Sequence, residues 1–252
     1  MKTICSTLVV IIICTYASIA KIRNGYSPGI TSASTSLKML IDLLNDDQKL
    51  TLSEKRVLEK RIKEVTDFIL YYELTEQLLI RFRTIAPDIY NSIDSLRDGK
   101  GRPTDVYIRF ISESHARVMA WGITNIAPMM DDPHGYRSEF GDYTVSVKVW
   151  AVEKSLMVLA HELGHVKYQV DNLASYYDYY KTKYPRATTD PNNIGHAFGD
   201  ASGDCAVDFE KRFRASHFRY WKRGGGMESA GSLKERISEE IRRSMLTRSA
   251  NM

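Results

Sequence analysis

Three observations predict an α+β chain, predominantly helical with a small mixed sheet. From Ile30 to Asp98 there is no glycine and a single proline, Pro87, which favours helix throughout. After the turn-rich stretch RDGKGRP (97–103) the pattern changes to short β-type segments. Beyond Trp150 it turns helical again, and helices around a small sheet are an α+β arrangement.

The first twenty residues read as a signal peptide. Met1-Lys2 supplies the positive start and Leu8–Cys14 a short apolar run. Ser18 and Ala20 stand three and one before a cut ahead of Lys21. The run is too short to cross a bilayer, which takes about 20 apolar residues, so no transmembrane segment is expected after its removal. A lipid on Cys14 is the minor alternative, with Ile13 where a small residue belongs. Removal takes Cys5 and Cys14 with it and leaves Cys205, which excludes an internal disulfide and a cysteine metal cage. The expected location is secreted, or periplasmic and cell envelope.

Residues 21–36 are polar and turn-rich and read as a flexible leader. Residues 37–98 read as a helical N-terminal region. Leu37–Leu44 is amphipathic. Thr51-Leu52-Ser53-Glu54 is a capping-box pattern, and Leu58, Ile62, Val65 and Ile69 follow at helical spacing. That helix is expected to run toward Pro87, with a shorter one to about Leu96.

In 99–252, Val106–Ile111, Ala116–Gly122 and Tyr143–Trp150 are the expected strands. In the last, Val145, Val147 and Val149 share one face, with Thr144, Ser146 and Lys148 on the other. A loop rich in Pro, Gly and Asp (128–142) precedes it. Residues 211–252 hold 11 Lys/Arg against 4 Asp/Glu and read as a solvated basic tail. No base-reading motif accompanies it, so no nucleic-acid partner is expected. The composition, 43% hydrophobic and 26% charged, excludes a disordered, collagen-like or polytopic membrane chain, and a net charge of +4 implies no strong steering field.

The chemistry lies in residues 161–165, His-Glu-Leu-Gly-His. On a helix, His161 and His165 stand one turn apart and can bind one Zn²⁺, while Glu162 is placed to take a proton from a metal-bound water. Leu156, Leu159, Ala160, Leu163 and Val166 form an apolar stripe, with the two histidines on the opposite side and Glu162 at its margin. The spacing therefore predicts a helix that buries one face and turns two imidazoles toward a cleft.

The stretch Val158-Leu159-Ala160-His161-Glu162-Leu163-Gly164-His165-Val166 resembles the zincin metallopeptidases, whose signature flanks the motif with uncharged residues. Lys167 alone departs, where an apolar residue is usual. The resemblance makes 99–252 a zincin-like catalytic region. It implies a zinc-dependent peptidase with a peptide or protein substrate, and an edge strand, 116–122, on which the peptide adds.

A catalytic zinc keeps three protein ligands and one open position. Asp171 stands where the metzincin relatives carry the third, but Tyr168 occupies the place of their helix-breaking glycine. The gluzincin relatives take a carboxylate from a later helix. In the segment from Gly199, Ala206, Phe209, Phe213 and Tyr220 form an apolar face, with Glu210 at its edge near His217 and with Asp204 and Asp208 opposite. Glu210 is the choice as third ligand, because an acid at a buried edge needs a cation. Asp200 and Asp204 are the alternatives that mimic gluzincin spacing. His196, His217 and Tyr168 are candidate oxyanion donors, and the tyrosines at 176, 177, 179, 180 and 184 a helix over the site. A non-catalytic binding or envelope module on the same scaffold, or a non-peptidase zinc hydrolase, are the competing functions.

Overall fold

The computed structural model describes residues 22–45, 50–97, 103–115, 120–126, 143–172 and 206–250. The expected signal peptide, the loop 128–142, the tyrosine segment, His196, Asp200, Asp204 and Cys205 lie outside the described residues. The fold is α+β and mostly helical, and among the described residues the helices surround one small mixed sheet of four strands. In chain order the elements are β1 (Ile22–Asn24), α1 (Ser27–Asn45), α2 (Leu52–Ile85), α3 (Pro87–Asp94), β2 (Val106–Ser112), β3 (Gly122–Ile126), β4 (Tyr143–Val149), α4 (Val152–Asp171), α5 (Ala206–Lys222) and α6 (Ala230–Ala250).

The strand order is β1-β2-β4-β3. β2 runs parallel to β4 from Val106↔Tyr143 to Ser112↔Val149. β1 adds parallel to β2, and β3 adds antiparallel to β4 with Gly122↔Val147 and Thr124↔Val145. The alternation expected in β4 is present, but Thr144 and Ser146 are buried as well as the valines, because protein covers both faces of this inner strand.

The helices follow their local signals. Thr51 caps α2 in a full capping box: its backbone N–H donates to Glu54 Oε2 at 2.8 Å and its Oγ1 accepts from Glu54 N at 3.3 Å. Pro87 opens α3 after Ala86 leaves helical geometry. α2 is about 51 Å long at 1.5 Å per residue, and its buried positions begin only at Ile69. Thr75 ties it to the sheet, accepting from Phe110 N at 3.1 Å and donating to Tyr71 O at 2.7 Å. α5 stops at Gly224, whose φ of 84° suits glycine. Gly224 N–H bonds Trp221 O and Gly225 N–H bonds Tyr220 O, a Schellman ending.

Three expectations are corrected. The stretch 21–36 is no loose leader: Ile22–Asn24 is the sheet edge and Ser27 begins α1. Tertiary bonds decide this over weak local preference. Asn24 Nδ2 donates to Tyr72 O and Glu76 Oε1, and Ile22 N to Asp94 Oδ1. Of the strand expected at 116–122, residues 116–119 lie outside the described residues, Ala120 and Trp121 are not strand, and Gly122 begins one that runs to Ile126. The basic tail forms α5 and α6, and Ala230, Leu233, Ile237 and Ile241 of α6 bury one stripe in the core. On the outer side of α6, Arg242 and Arg243 bracket Glu239, holding its carboxyl down to about 2.

The turn at 97–103 does not divide the core. Leu78 and Phe82 of α2, Val145 and Val147 of β4, Leu159 and Leu163 of α4, Phe213 of α5 and Leu233 of α6 belong to one cluster. Phe82 stacks on Phe213 with centroids 5.7 Å apart. Replacing the buried Ile237 by Ala is expected to cost about 3 kcal/mol, measured by urea unfolding; a solvated tail would lose nothing.

Candidate metal centre

α4 carries the motif in the middle of a helix that is buried on most sides. Leu156, Leu159, Ala160, Leu163 and Val166 enter the core as the spacing predicts. The opposite side is not an open cleft, since α5 and β3 lie over it. His165 is 6% exposed and Glu162 8%, while His161 keeps a quarter of its side chain in solvent.

The one-turn separation brings His161 Nε2 and His165 Nε2 to 3.1 Å, with the rings at 85° to each other. Two imidazole nitrogens on a tetrahedral Zn²⁺ at about 2.0–2.1 Å stand about 3.3 Å apart. The pair therefore fits two positions of such a site with little adjustment. Without a metal, the same separation lets one ring N–H donate to the other.

Glu162 is fixed from β3. Its Oε2 accepts from Thr124 Oγ1 at 2.7 Å. Two residues back on the same strand face, a Cβ at Gly122 would stand 2.6 Å from Glu162 Oε1 and 2.7 Å from its Cγ. Gly122 makes the room and Thr124 supplies the proton donor. The sequence gives no sign of either role, because a glycine and a threonine in a strand have many commoner explanations.

Glu210 comes from α5, at the edge of its buried face as the helical wheel predicts. Its Oε2 lies 3.5 Å from His161 Nδ1, and Arg214 holds its Oε1. Arg214 in turn donates to Met157 Sδ of α4. The acid thus approaches the far nitrogen of His161. To join the Nε2 pair as a third ligand, its carboxylate has to leave Arg214 and move around the ring. Among the described residues, no three His, Cys, Asp or Glu side chains form a group that could hold a metal ion.

The other candidates fall elsewhere. Asp171 ends α4 and pairs with Lys167 at 2.6 Å. In an unbroken helix it is two-thirds of a turn round and about 9 Å along from His165. Asp208 is exposed, 3.8 Å from Arg212. His217 stacks on Phe213 and meets Glu153, two turns before the motif, at 3.3 Å. Tyr168 packs against the core. Gln169, one turn beyond His165, is buried, and its Oε1 has no hydrogen-bond partner among the described residues; sequence reasoning passed over it.

Comparison with known proteins finds no matching family model, no matching curated protein and no matching solved structure.

Thr124→Val is expected to cost about 1–3 kcal/mol, because it leaves the buried Glu162 oxygen without a donor. Thr124→Ser should recover most of that in denaturant unfolding. Gly122→Ala should cost a similar amount by displacing Glu162 and Val158.

Proposed function

We propose that this protein is a secreted zinc-dependent metallopeptidase. The observation that carries the reading is the convergence of His161 Nε2 and His165 Nε2 at 3.1 Å, beside a Glu162 carboxyl group fixed by Thr124. His161 and His165 would hold Zn²⁺, with Glu210 as third ligand after a side-chain movement. When bound, the ion supplies Lewis acidity toward a water and a scissile carbonyl. Glu162 takes the proton of the attacking water and passes it to the leaving amine. Thr124 keeps the Glu162 side chain in place through that transfer. The apolar run at 8–14 and the small residues at 18 and 20 support export. No described helix is long and apolar enough to cross a membrane.

A non-catalytic module on the same scaffold is the second reading. It is favoured by the depth of Glu162 and His165.

Metal analysis and a quenched fluorescent peptide library separate the two. The peptidase account expects one zinc per chain, lost in His161→Ala and His165→Ala and retained in Glu162→Gln. Hydrolysis by Glu162→Gln should fall by about 10³-fold. Zinc loss in Glu210→Ala would support its role as ligand, and undiminished binding would remove it. A wild type that takes up no zinc, or full activity in Glu162→Gln, would overturn the reading.

A further inference from the structure

The outward side of α5 has a composition that neither the core nor the metal centre explains. Between Lys211 and Arg223 there are six Lys/Arg and no acid. At 100° per residue, Trp221, Arg214, Val207, Phe218, Lys211 and Lys222 fall within about 100° of one another. Phe209, Phe213 and Ser216 occupy the opposite, buried side. Three of the outward residues are large and apolar and stand in water: Val207 at 54% exposure, Phe218 at 52% and Trp221 at 62%.

We infer that this face of α5 is a docking surface for an anionic lipid bilayer. Arg212 is engaged by Asp88 and Asp208, and Arg214 by Glu210. On this face Lys211 and Lys222 have no carboxylate at salt-bridge distance among the described residues. These two cations complement anionic headgroups. Phe218 and Trp221, one turn apart, are the residue types that settle at the headgroup level. The helix cannot slide or unwind easily to hide them, since the Schellman ending at Gly224 holds its last turn.

The aromatic pair decides between a bilayer and a polyanion. Phe218 and Trp221 stack on each other at 6.2 Å, and Lys222 Nζ lies 4.7 Å from the centre of the Phe218 ring. Ring faces engaged in this way are poor platforms for nucleic-acid bases, which bind by stacking. An acidic polymer would use the cations and leave both rings in water. A bilayer interface accommodates the cations and the rings together. The inference is independent of the metal site and stands if the peptidase reading fails.

The test is flotation of the purified full chain with phosphatidylcholine vesicles, with and without phosphatidylglycerol, at low and high salt. Binding is expected only with phosphatidylglycerol and should weaken as salt rises. The F218S/W221S variant should bind more than tenfold more weakly. K211Q/K222Q should lose roughly thirtyfold and most of the salt dependence. Any affinity contributed by the apolar run at 8–14 is common to all three proteins. The substituted side chains are exposed, so circular dichroism and the unfolding midpoint should not change. Three results would overturn the inference: no binding to phosphatidylglycerol vesicles at low salt, equal binding to pure phosphatidylcholine, or wild-type binding by F218S/W221S. So would equally tight binding of an oligonucleotide or polyglutamate by wild type and F218S/W221S.

Discussion

The hydrogen bond from Thr124 to Glu162 is the constraint around which the centre of the molecule is arranged. A carboxyl group taken out of water without a donor costs several kcal/mol. Glu162 is buried by the same helix face that presents the two imidazoles, so a donor has to come from a neighbouring element. β3 brings it, in the register that sets Thr124 against Val145 and Gly122 against Val147. A slip of one residue would present Ile123 or Asn125 to the carboxyl group and turn Thr124 to the other face. The junction from β4 into α4 is held as well, since Ser155 Oγ donates to Lys148 O at 3.0 Å.

The N-terminal helices serve the same centre from behind. Phe82 of α2 stacks on Phe213 of α5, and Asp88 of α3 accepts from Arg212 at 2.7 Å. These contacts fix the rotation of α5 and so place Glu210 at the edge nearest His161. α2 has a long exposed N-terminal half but a buried C-terminal half. Only the second part belongs to the backing of the site. The opposite side of α5 is left to its basic and aromatic residues, so one helix joins the candidate metal centre to the proposed lipid-facing surface.

Much of the fold was legible because its local and tertiary signals agree. Thr51 and Glu54 form the capping box their spacing predicts, Pro87 separates two helices, and Val145, Val147 and Val149 enter the core. Legibility failed where tertiary contacts override composition. Small polar residues before Leu37 look like a leader, yet Asn24 and the packing of α1 on α2 order them. The charges after Arg223 look like a tail, yet Leu233, Ile237 and Ile241 recur at helical spacing and bury. At the site, one-turn spacing sufficed to pair His161 with His165, and the wheel put Glu210 at the edge of the buried face of α5, which the structure turns toward His161. The support from Gly122 and Thr124 was invisible, because it depends on a strand register that no local pattern encodes.

The account rests on the two imidazoles acting as a metal site, and cobalt(II) titration followed by visible absorption tests this most directly. Cobalt(II) takes the same nitrogen and oxygen donors as zinc, and its absorption reports geometry. The account predicts saturation at one equivalent with the intense bands of a tetrahedral ion, and their absence in His165→Ala. Weak, unsaturated absorption that is the same in wild type and His165→Ala would contradict it.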